Sequence, residues 1–208
     1  MDSCTKEECS ENGESPIARV YTQKEHGIQI KNIDPDALKI LNRLQRFGYR
    51  AYVVGGGVRD LLLEKPPKDF DIATEATPRQ VKALFRNSRI IGRRFKLVHV
   101  FFNGLKIIEV STFRDITDEA EIDDGSPQDI EPIKTDNTYG NEQTDALRRD
   151  ISINALFLDT SDMTIVDYVD GMKDFRHELV RVIGNPDVRF AEDPVRLLRV
   201  VRHSVRSG

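Results

Sequence analysis

Tryptophan is absent from the sequence, cysteine occurs only twice, and no run of about 18 apolar residues is present. Cys4 and Cys9 lie in a polar N-terminal stretch, and no second cysteine or histidine pair completes a set of metal ligands. We therefore interpret them as two free thiols rather than as half of a metal site. Without a long apolar run or a signal or transit peptide in residues 1–15, the expectation is a cytoplasmic protein with no membrane partner.

Basic side chains are scarce in one part of the chain and abundant in another. Residues 115–145 carry eleven acidic residues and one basic residue, whereas residues 16–114 carry nineteen basic and nine acidic residues. The net charge of the 208 residues is −4, but the basic segment suits a polyanionic partner. Ordinary surface lysine and arginine would give the same count, so the charge pattern alone does not decide between these interpretations.

Hydrophobic periodicity predicts a mixed α+β fold in which hairpins form a central sheet and helices pack on it. Residues 1–32 are predicted to be a flexible tail, and residues 115–141 a mobile acidic insertion. Strands are predicted at residues 49–54, 70–73, 97–102 and 105–112, the last two joined by a turn at Asn103 and Gly104. Helices are predicted at residues 34–48, 58–63, 77–85 and 192–206.

A glycine turn joins the strand predicted at residues 49–54 to the following helix. Gly55 and Gly56 allow backbone N–H groups and the positive end of a helix to face an anion, and Arg59 lies within one turn. The spacing matches neither the dinucleotide-binding nor the Walker motif. A phosphate site is one interpretation, and a tight turn that needs glycine for packing is the other.

Two aspartates lie just beyond the helix that follows the glycine turn. Asp69 and Asp71 are at positions i and i+2 of an extended segment, so their side chains are predicted to share one face. Mg²⁺ would offset their repulsion, and nucleotide phosphates would complete its coordination shell. A two-metal site usually has a third carboxylate, for which Glu109 and Asp150 are both candidates. A polar strand edge is the alternative interpretation of the aspartate pair.

Arginine recurs beside carboxylates in the last third of the chain. Arg148 and Arg149 precede Asp150, and Asn154 follows, a set that can bind a triphosphate, a ribose or a base but also fits a structural salt bridge. Steps of three residues then predict a shared helix face that could recognise a base, with a solvated ladder of ion pairs as the alternative. The members of that face are Asp193, Arg196, Arg199 and Arg202.

These motifs, in this order, resemble the class II branch of the polymerase-β-type nucleotidyltransferases, which holds bacterial poly(A) polymerases and tRNA CCA-adding enzymes. The resemblance extends over residues 23–208 and is carried by residues 53–63, 68–74, 148–154 and 192–199. Residues 26–28, 84–87, 92–100 and 109–114 are more similar to the poly(A) polymerases. Two short stretches, residues 144–147 and 151–152, depart from the family's usual residues.

The resemblance implies a nucleotidyltransferase head over residues 33–175, with residues 115–141 as its flexible loop, and the start of a helical neck over residues 176–208. It implies transfer of AMP from ATP to the 3′-hydroxyl of an RNA, with release of pyrophosphate. CCA addition to tRNA and nucleotide or RNA binding without turnover are the alternatives.

Roles for individual residues also come from the resemblance. Two Mg²⁺ ions are expected at Asp69 and Asp71, with Glu109 or Asp150 as the third carboxylate. Contacts with the nucleotide are expected from Gly55, Gly56, Arg59, Arg148, Arg149 and Asn154. Base recognition is expected from Asp193 and Arg196, supported by Arg199 and Arg202.

Overall fold

The computed structural model describes residues 18–92, 96–115 and 138–207. The strands are β1 (Arg19–Tyr21), β2 (Ala51–Val54), β3 (Asp71–Thr74), β4 (Ser88–Ile91), β5 (Leu97–Phe101), β6 (Ile107–Thr112), β7 (Leu156–Asp159) and β8 (Thr164–Asp167). The helices are α1 (Gln23–His26), α2 (Pro35–Arg46), α3 (Gly56–Leu62), α4 (Pro78–Leu84), α5 (Glu142–Leu147), α6 (Gly171–Arg176), α7 (Pro186–Glu192) and α8 (Val195–Ser207). Short 3-10 turns occupy Ile30–Asn32, Asn103–Leu105 and Ser152–Asn154.

The eight described strands form one sheet in the spatial order β1-β8-β7-β2-β3-β6-β5-β4. Strands β3 and β6 are parallel and the other neighbours are antiparallel. Apolar side chains cover both faces of β2, since Val53 belongs to one hydrophobic cluster and Val54 to the other. The predicted mixed α/β fold with a central sheet packed by helices is confirmed.

The first long helix is specified locally, as predicted. The Asp34 carboxylate accepts hydrogen bonds from the backbone N–H groups of Asp36 and Ala37, at 2.8 and 3.4 Å, and Pro35 occupies the first turn. The chain leaves the helix through Gly48, whose φ of +84° favours glycine. Thr77 and Gln80 form the predicted capping box at the start of α4.

Residues 18–32 differ from the flexible tail that the sequence predicts. Strand β1 pairs with β8, the Ile28 side chain is 2% exposed, and the His26 Nε2 atom lies 2.9 Å from the Met163 carbonyl oxygen. A three-residue strand and a four-residue helix are too short to produce a readable periodicity, which is why the pattern was missed. The first 17 residues of the predicted tail and residues 116–137 of the predicted acidic insertion lie outside the described part.

Most of the helix predicted at residues 192–206 is present as α8, but Glu192 ends α7, and Asp193 and Pro194 separate the two helices. Proline lacks a backbone N–H and disfavours the helical conformation of the residue before it, and Asp193 is accordingly extended, with φ −145° and ψ 95°. The Asp193 carboxylate accepts a hydrogen bond from the Val195 N–H at 3.0 Å. Asp193 therefore precedes α8, and the prediction that it shares a helix face with three arginines is wrong. Among the described helices, none has the length and apolar character needed to cross a membrane.

The packing of residues 18–32 can be tested with two isoleucines of different exposure. We expect Ile28→Ala to lower the free energy of unfolding by about 2–5 kcal/mol, because it leaves a cavity in the core. The matched control is Ile30→Ala, at a side chain that is 50% exposed, for which we expect less than about 1 kcal/mol. Urea unfolding measures both, and equal small losses would mean that this segment is not part of the core.

Candidate active site

Three carboxylates come together near the start of β3. Asp71 is the first residue of the strand, and the parallel register of β3 and β6 places Glu109 directly beside it. Burial raises the pKa of the half-buried Asp71 carboxyl; the neighbouring charges of Glu109 and Asp69 raise it further, and Arg149 opposes them. The site therefore carries negative charge that the protein only partly offsets.

Of the two candidates for a third carboxylate, Glu109 is the neighbour of Asp71. Its side chain is 52% exposed, and its Oε1 atom lies 3.2 Å from the His99 Nε2 atom on β5. The Asp150 carboxylate is instead held by arginines: Oδ1 accepts from Arg196 Nε at 3.0 Å, and Oδ2 accepts from Arg199 Nη1. Glu109 therefore lies beside Asp71, whereas both oxygens of Asp150 accept hydrogen bonds from arginines of α8.

The carboxylates fit a hard cation bound together with a substrate. In the ranges that the structure describes, no three His, Cys, Asp or Glu side chains are already grouped as a metal site. Mg²⁺ in proteins is typically held by one or two carboxylates, several waters and substrate phosphates. Asp69, two residues before Asp71, is exposed, and the raised pKa of Asp71 indicates a place where added positive charge is stabilising.

The glycine turn faces the same site. Gly55 adopts φ +70° and ψ −139°, a conformation that side chains disfavour, and α3 begins at Gly56. A Cβ atom at Gly55 would lie 3.6 Å from Asp71 Oδ2 and 3.8 Å from Arg149 Nη1. The turn therefore places backbone without a side chain next to both a carboxylate and a guanidinium.

An open cavity of about 370 Å³ lies over this turn. Seven of the residues predicted from the sequence line it: Gly55, Gly56, Asp71, Arg148, Arg149, Asp150 and Asn154. Ser111, Arg114, Asp145 and Ile151 also line it, and sequence reasoning missed them. Ser111 follows Glu109 by two residues on β6, so period-2 alternation was the signal that could have found it.

Arg149 is held in place from several sides. Its Nε and Nη2 atoms donate to the Asp145 carboxylate at 3.2 and 2.8 Å, and Nη1 donates to the Asn154 carbonyl at 3.1 Å. The guanidinium carbon lies 5.3 Å from the centre of the Phe157 ring. Asp145 is 7% exposed and also accepts from the Arg114 N–H at 3.2 Å. Arg149 therefore presents a fixed positive charge to the cavity.

Arg59 does not line the cavity, and its predicted direct contact with a phosphate is not supported. The residue is only 2% exposed, and its Nε and Nη2 atoms donate to Asp60 Oδ1 at 3.0 and 2.6 Å. Nη1 donates to Asn154 Oδ1 at 2.9 Å and lies 3.0 Å from His203 Nδ1 on α8. Arg59 thus links α3 to two other elements and can act on the glycine turn only from behind.

The residues predicted to recognise a base are divided between two places. Arg196 and Arg199 converge on Asp150 at the cavity wall. Arg196 also donates to Glu192 Oε2 at 2.6 Å. Burial lowers the pKa of Arg196, but the hydrogen bonds and charges of Glu192 and Asp150 outweigh this effect, so the pKa is raised overall. Asp193 lies at the break between α7 and α8, and Arg202 is exposed on α8 and is not among the cavity-lining residues.

Comparison with known protein families gives one match to more than half of the chain. Residues 51–181 match the model described as the poly A polymerase head domain. The matched range contains the glycine turn, the aspartate pair, Glu109 and the segment 148–154.

Curated relatives and solved structures agree with that match. Poly(A) polymerase I of Salmonella typhi is 49% identical over 193 residues, which is 92% of this chain and 41% of that protein. A CCA-adding enzyme of Staphylococcus saprophyticus is 38% identical over 83% of this chain and 41% of its own length. The crystal structure of the Bacillus stearothermophilus CCA-adding enzyme in complex with CTP superimposes with a TM-score of 0.67 at 35% identity, covering 82% of this chain and 39% of that chain. The chain spans about two fifths of the length of these relatives.

The raised pKa of Asp71 predicts a stability change of definite sign. Because folding raises this pKa, the ionised carboxylate destabilises the folded state at pH 7, and the effect vanishes as pH falls below the unfolded value of about 4. We expect Asp71→Asn to raise the urea midpoint at pH 7 without Mg²⁺, with the gain shrinking toward pH 4. Asp69→Asn, at an exposed position, should change the midpoint less. A urea midpoint that falls at pH 7 in Asp71→Asn would contradict the interpretation that the protein only partly offsets the negative charge of Asp71.

The burial of Arg59 predicts a loss of stability rather than only a loss of ligand affinity. Arg59→Met keeps much of the stem but removes a buried partner of Asp60, so we expect unfolding to cost about 3–5 kcal/mol less. Arg46→Met, at an exposed arginine on α2, should stay within about 0.5 kcal/mol. Urea unfolding followed by circular dichroism measures both variants. Unchanged stability with weakened ATP binding would restore the direct phosphate role.

Proposed function

The chain belongs to the poly(A) polymerase head-domain family, and from this premise we propose that it is the head of a template-independent RNA nucleotidyltransferase. The proposed reaction transfers AMP from ATP to the 3′-hydroxyl of an RNA and releases pyrophosphate. The observation that carries the proposal is the meeting of a glycine turn, Asp71 and a fixed arginine around one cavity, with Glu109 beside Asp71 in the sheet. Phosphoryl transfer depends mainly on positioning and charge stabilisation, which such a site supplies.

The carboxylates are assigned to metal binding. Asp69 and Asp71 would hold Mg²⁺, in two-metal form, and Glu109 is the proposed third carboxylate because it pairs with Asp71 across the strands. When bound, the metal neutralises charge on the reacting phosphate and lowers the pKa of the attacking hydroxyl. Asp150 is the less favoured of the two candidates, since both of its oxygens accept hydrogen bonds from arginines.

The triphosphate is assigned to the glycine turn and the two arginines beside it. Backbone N–H groups at Gly55 and Gly56 would donate to phosphate oxygens from one side. Arg148 and Arg149 also line the cavity and would offer charge-assisted hydrogen bonds. Because Asp145 and Asn154 already hold the Arg149 guanidinium, little reorganisation is needed when a phosphate arrives.

Base recognition is assigned to the start of α8. Asp193 and Arg196 are the proposed contacts with adenine, with Arg199 and Arg202 in support. Arg196 is engaged by Asp150 and Glu192 here, so contact with a base would require it to share or exchange these partners. Residues 33–175 as the head and residues 176–208 as the start of a neck belong to the same proposal, as does a cytoplasmic location.

CCA addition is the second candidate, because a solved relative was crystallised in complex with CTP. The order of the two candidates rests on identity: the poly(A) polymerase I relative is 49% identical and the CCA-adding relative 38%. Binding of a nucleotide or RNA without turnover is less favoured, since the carboxylates that transfer requires are present and adjacent.

Primer extension distinguishes these functions. A labelled oligo(A) RNA and a tRNA lacking its CCA end are each offered ATP, CTP or both, with Mg²⁺. We expect ATP alone to extend oligo(A). The charge stabilisation supplied by such a metal is worth several kcal/mol, so Asp69→Ala/Asp71→Ala should slow extension by at least about 100-fold.

The control for the double variant is Asp162→Ala, an exposed aspartate in the turn between β7 and β8, which should extend at the wild-type rate. Addition of two C residues and one A that stops on the tRNA would transfer the assignment to CCA addition. Absence of product on both RNAs, with ATP binding retained, would favour a binding module.

A further inference from the structure

Arg189, on α7, reaches two backbone carbonyls of the segment that forms the cavity wall. Its Nη2 atom donates to the Arg148 carbonyl at 2.7 Å and to the Arg149 carbonyl at 3.1 Å. These carbonyls directly follow α5, where C=O groups have no partner within the helix and a cation is favourable. One guanidinium nitrogen therefore fixes the backbone of both arginines that face the cavity.

The Arg189 side chain is itself confined. It is 18% exposed, and its Nη1 atom lies 3.4 Å from Glu192 Oε2. Its Cγ and Cδ atoms pass 3.7 and 3.8 Å from the position that a Cβ would take at Gly184, a residue with φ +84°. The positive φ favours glycine at this turn, and the Arg189 stem packs against it at ordinary van der Waals distances. The two Nη atoms are engaged, whereas the buried Nε atom has no hydrogen-bond partner in the part of the chain that the structure describes. The confined stem and the two Nη2 contacts transmit the position of α7 to the carbonyls that Arg189 binds.

Arg189 also connects the cavity arginines to the start of α8. Its carbonyl accepts a hydrogen bond from Arg196 Nη1 at 3.0 Å, and Arg196 in turn grips Asp150. Glu192 accepts from both guanidinium groups, at 3.4 Å from Arg189 and 2.6 Å from Arg196. One residue on α7 therefore has its side chain on the proposed phosphate-binding segment and its backbone on a proposed base-binding residue.

We infer that Arg189 is a positioning residue for nucleotide binding, acting through Arg148 and Arg149 and aligning them with Arg196. The inference rests on the proposed function and adds to it a residue that is not among those lining the cavity. The competing explanation is that Arg189 only anchors α7 to the head. The two differ because anchoring predicts a loss of stability, whereas positioning predicts a loss of affinity that depends on the cavity arginines.

The first test measures the dissociation constant of ATP with Mg²⁺ for the 208-residue chain. Arg189→Met keeps most of the stem over Gly184 but removes the donors, and small misplacements of binding groups are costly, so we expect affinity to fall by roughly tenfold to 100-fold. Arg189→Lys can still donate to a carbonyl and should lie between that variant and the wild type. The matched control is Arg79→Met, which should bind ATP normally. Arg79 is exposed on α4, which like α7 is a seven-residue helix that begins with proline.

The second test is a double-mutant cycle, read together with urea midpoints. If Arg189 acts through Arg149, then adding Arg189→Met to Arg149→Ala should weaken ATP binding much less than it does in the wild type. Additive losses, or wild-type affinity in Arg189→Met, would overturn the inference while leaving the proposed function intact. A lowered urea midpoint with unchanged affinity would likewise reduce Arg189 to an anchor. Absence of ATP binding by the unaltered chain would instead refute the proposed function, and the inference with it.

Discussion

The site depends on two carboxylates that the sheet holds side by side against their mutual repulsion. Strands β3 and β6 run parallel with Asp71 beside Glu109, so the backbones of these residues cannot separate without breaking the ladder between the two strands. Backbone hydrogen bonds and apolar packing on both faces supply the free energy that keeps the charges together. The glycine turn lies next to both Asp71 and Arg149, and all three line the cavity.

Much of the frame could be predicted because its signals are local. Asp34 with Pro35, and Thr77 with Gln80, mark helix starts through contacts spanning three residues or fewer, and Gly55 marks a turn that other residues disfavour. The partners of the charged residues were harder to predict, since Arg59 meets His203 and Asp150 meets Arg199 across long stretches of sequence. A sequence pattern shows that arginine and carboxylate are present, but only the folded chain decides which of them pair.

Strand pairing and a proline explain two further differences between the predictions and the structure. Whether a short segment becomes a strand depends on a free sheet edge, and β1 and β4 occupy the two edges of this sheet. Pro194 is visible in the sequence, but the steps of three from Asp193 to Arg196 and Arg199 predict a helix that already includes Asp193. The restriction that proline imposes on the preceding residue outweighed that spacing, and it moved Asp193 off the helix.

Helix α8 is fastened to the head by polar side chains while several of its apolar ones, including Leu198 at 68% exposure and Val205 at 78%, face outward. Arg196 and Arg199 lie on adjacent turns of one face, and each takes a different oxygen of Asp150. The two oxygens of a carboxylate are held at a fixed separation. Shifting the helix by one turn would therefore move both guanidinium groups away from the oxygens that they bind. Asp150 therefore sets the register of α8 against the head through two side-chain contacts, one for each of its oxygens.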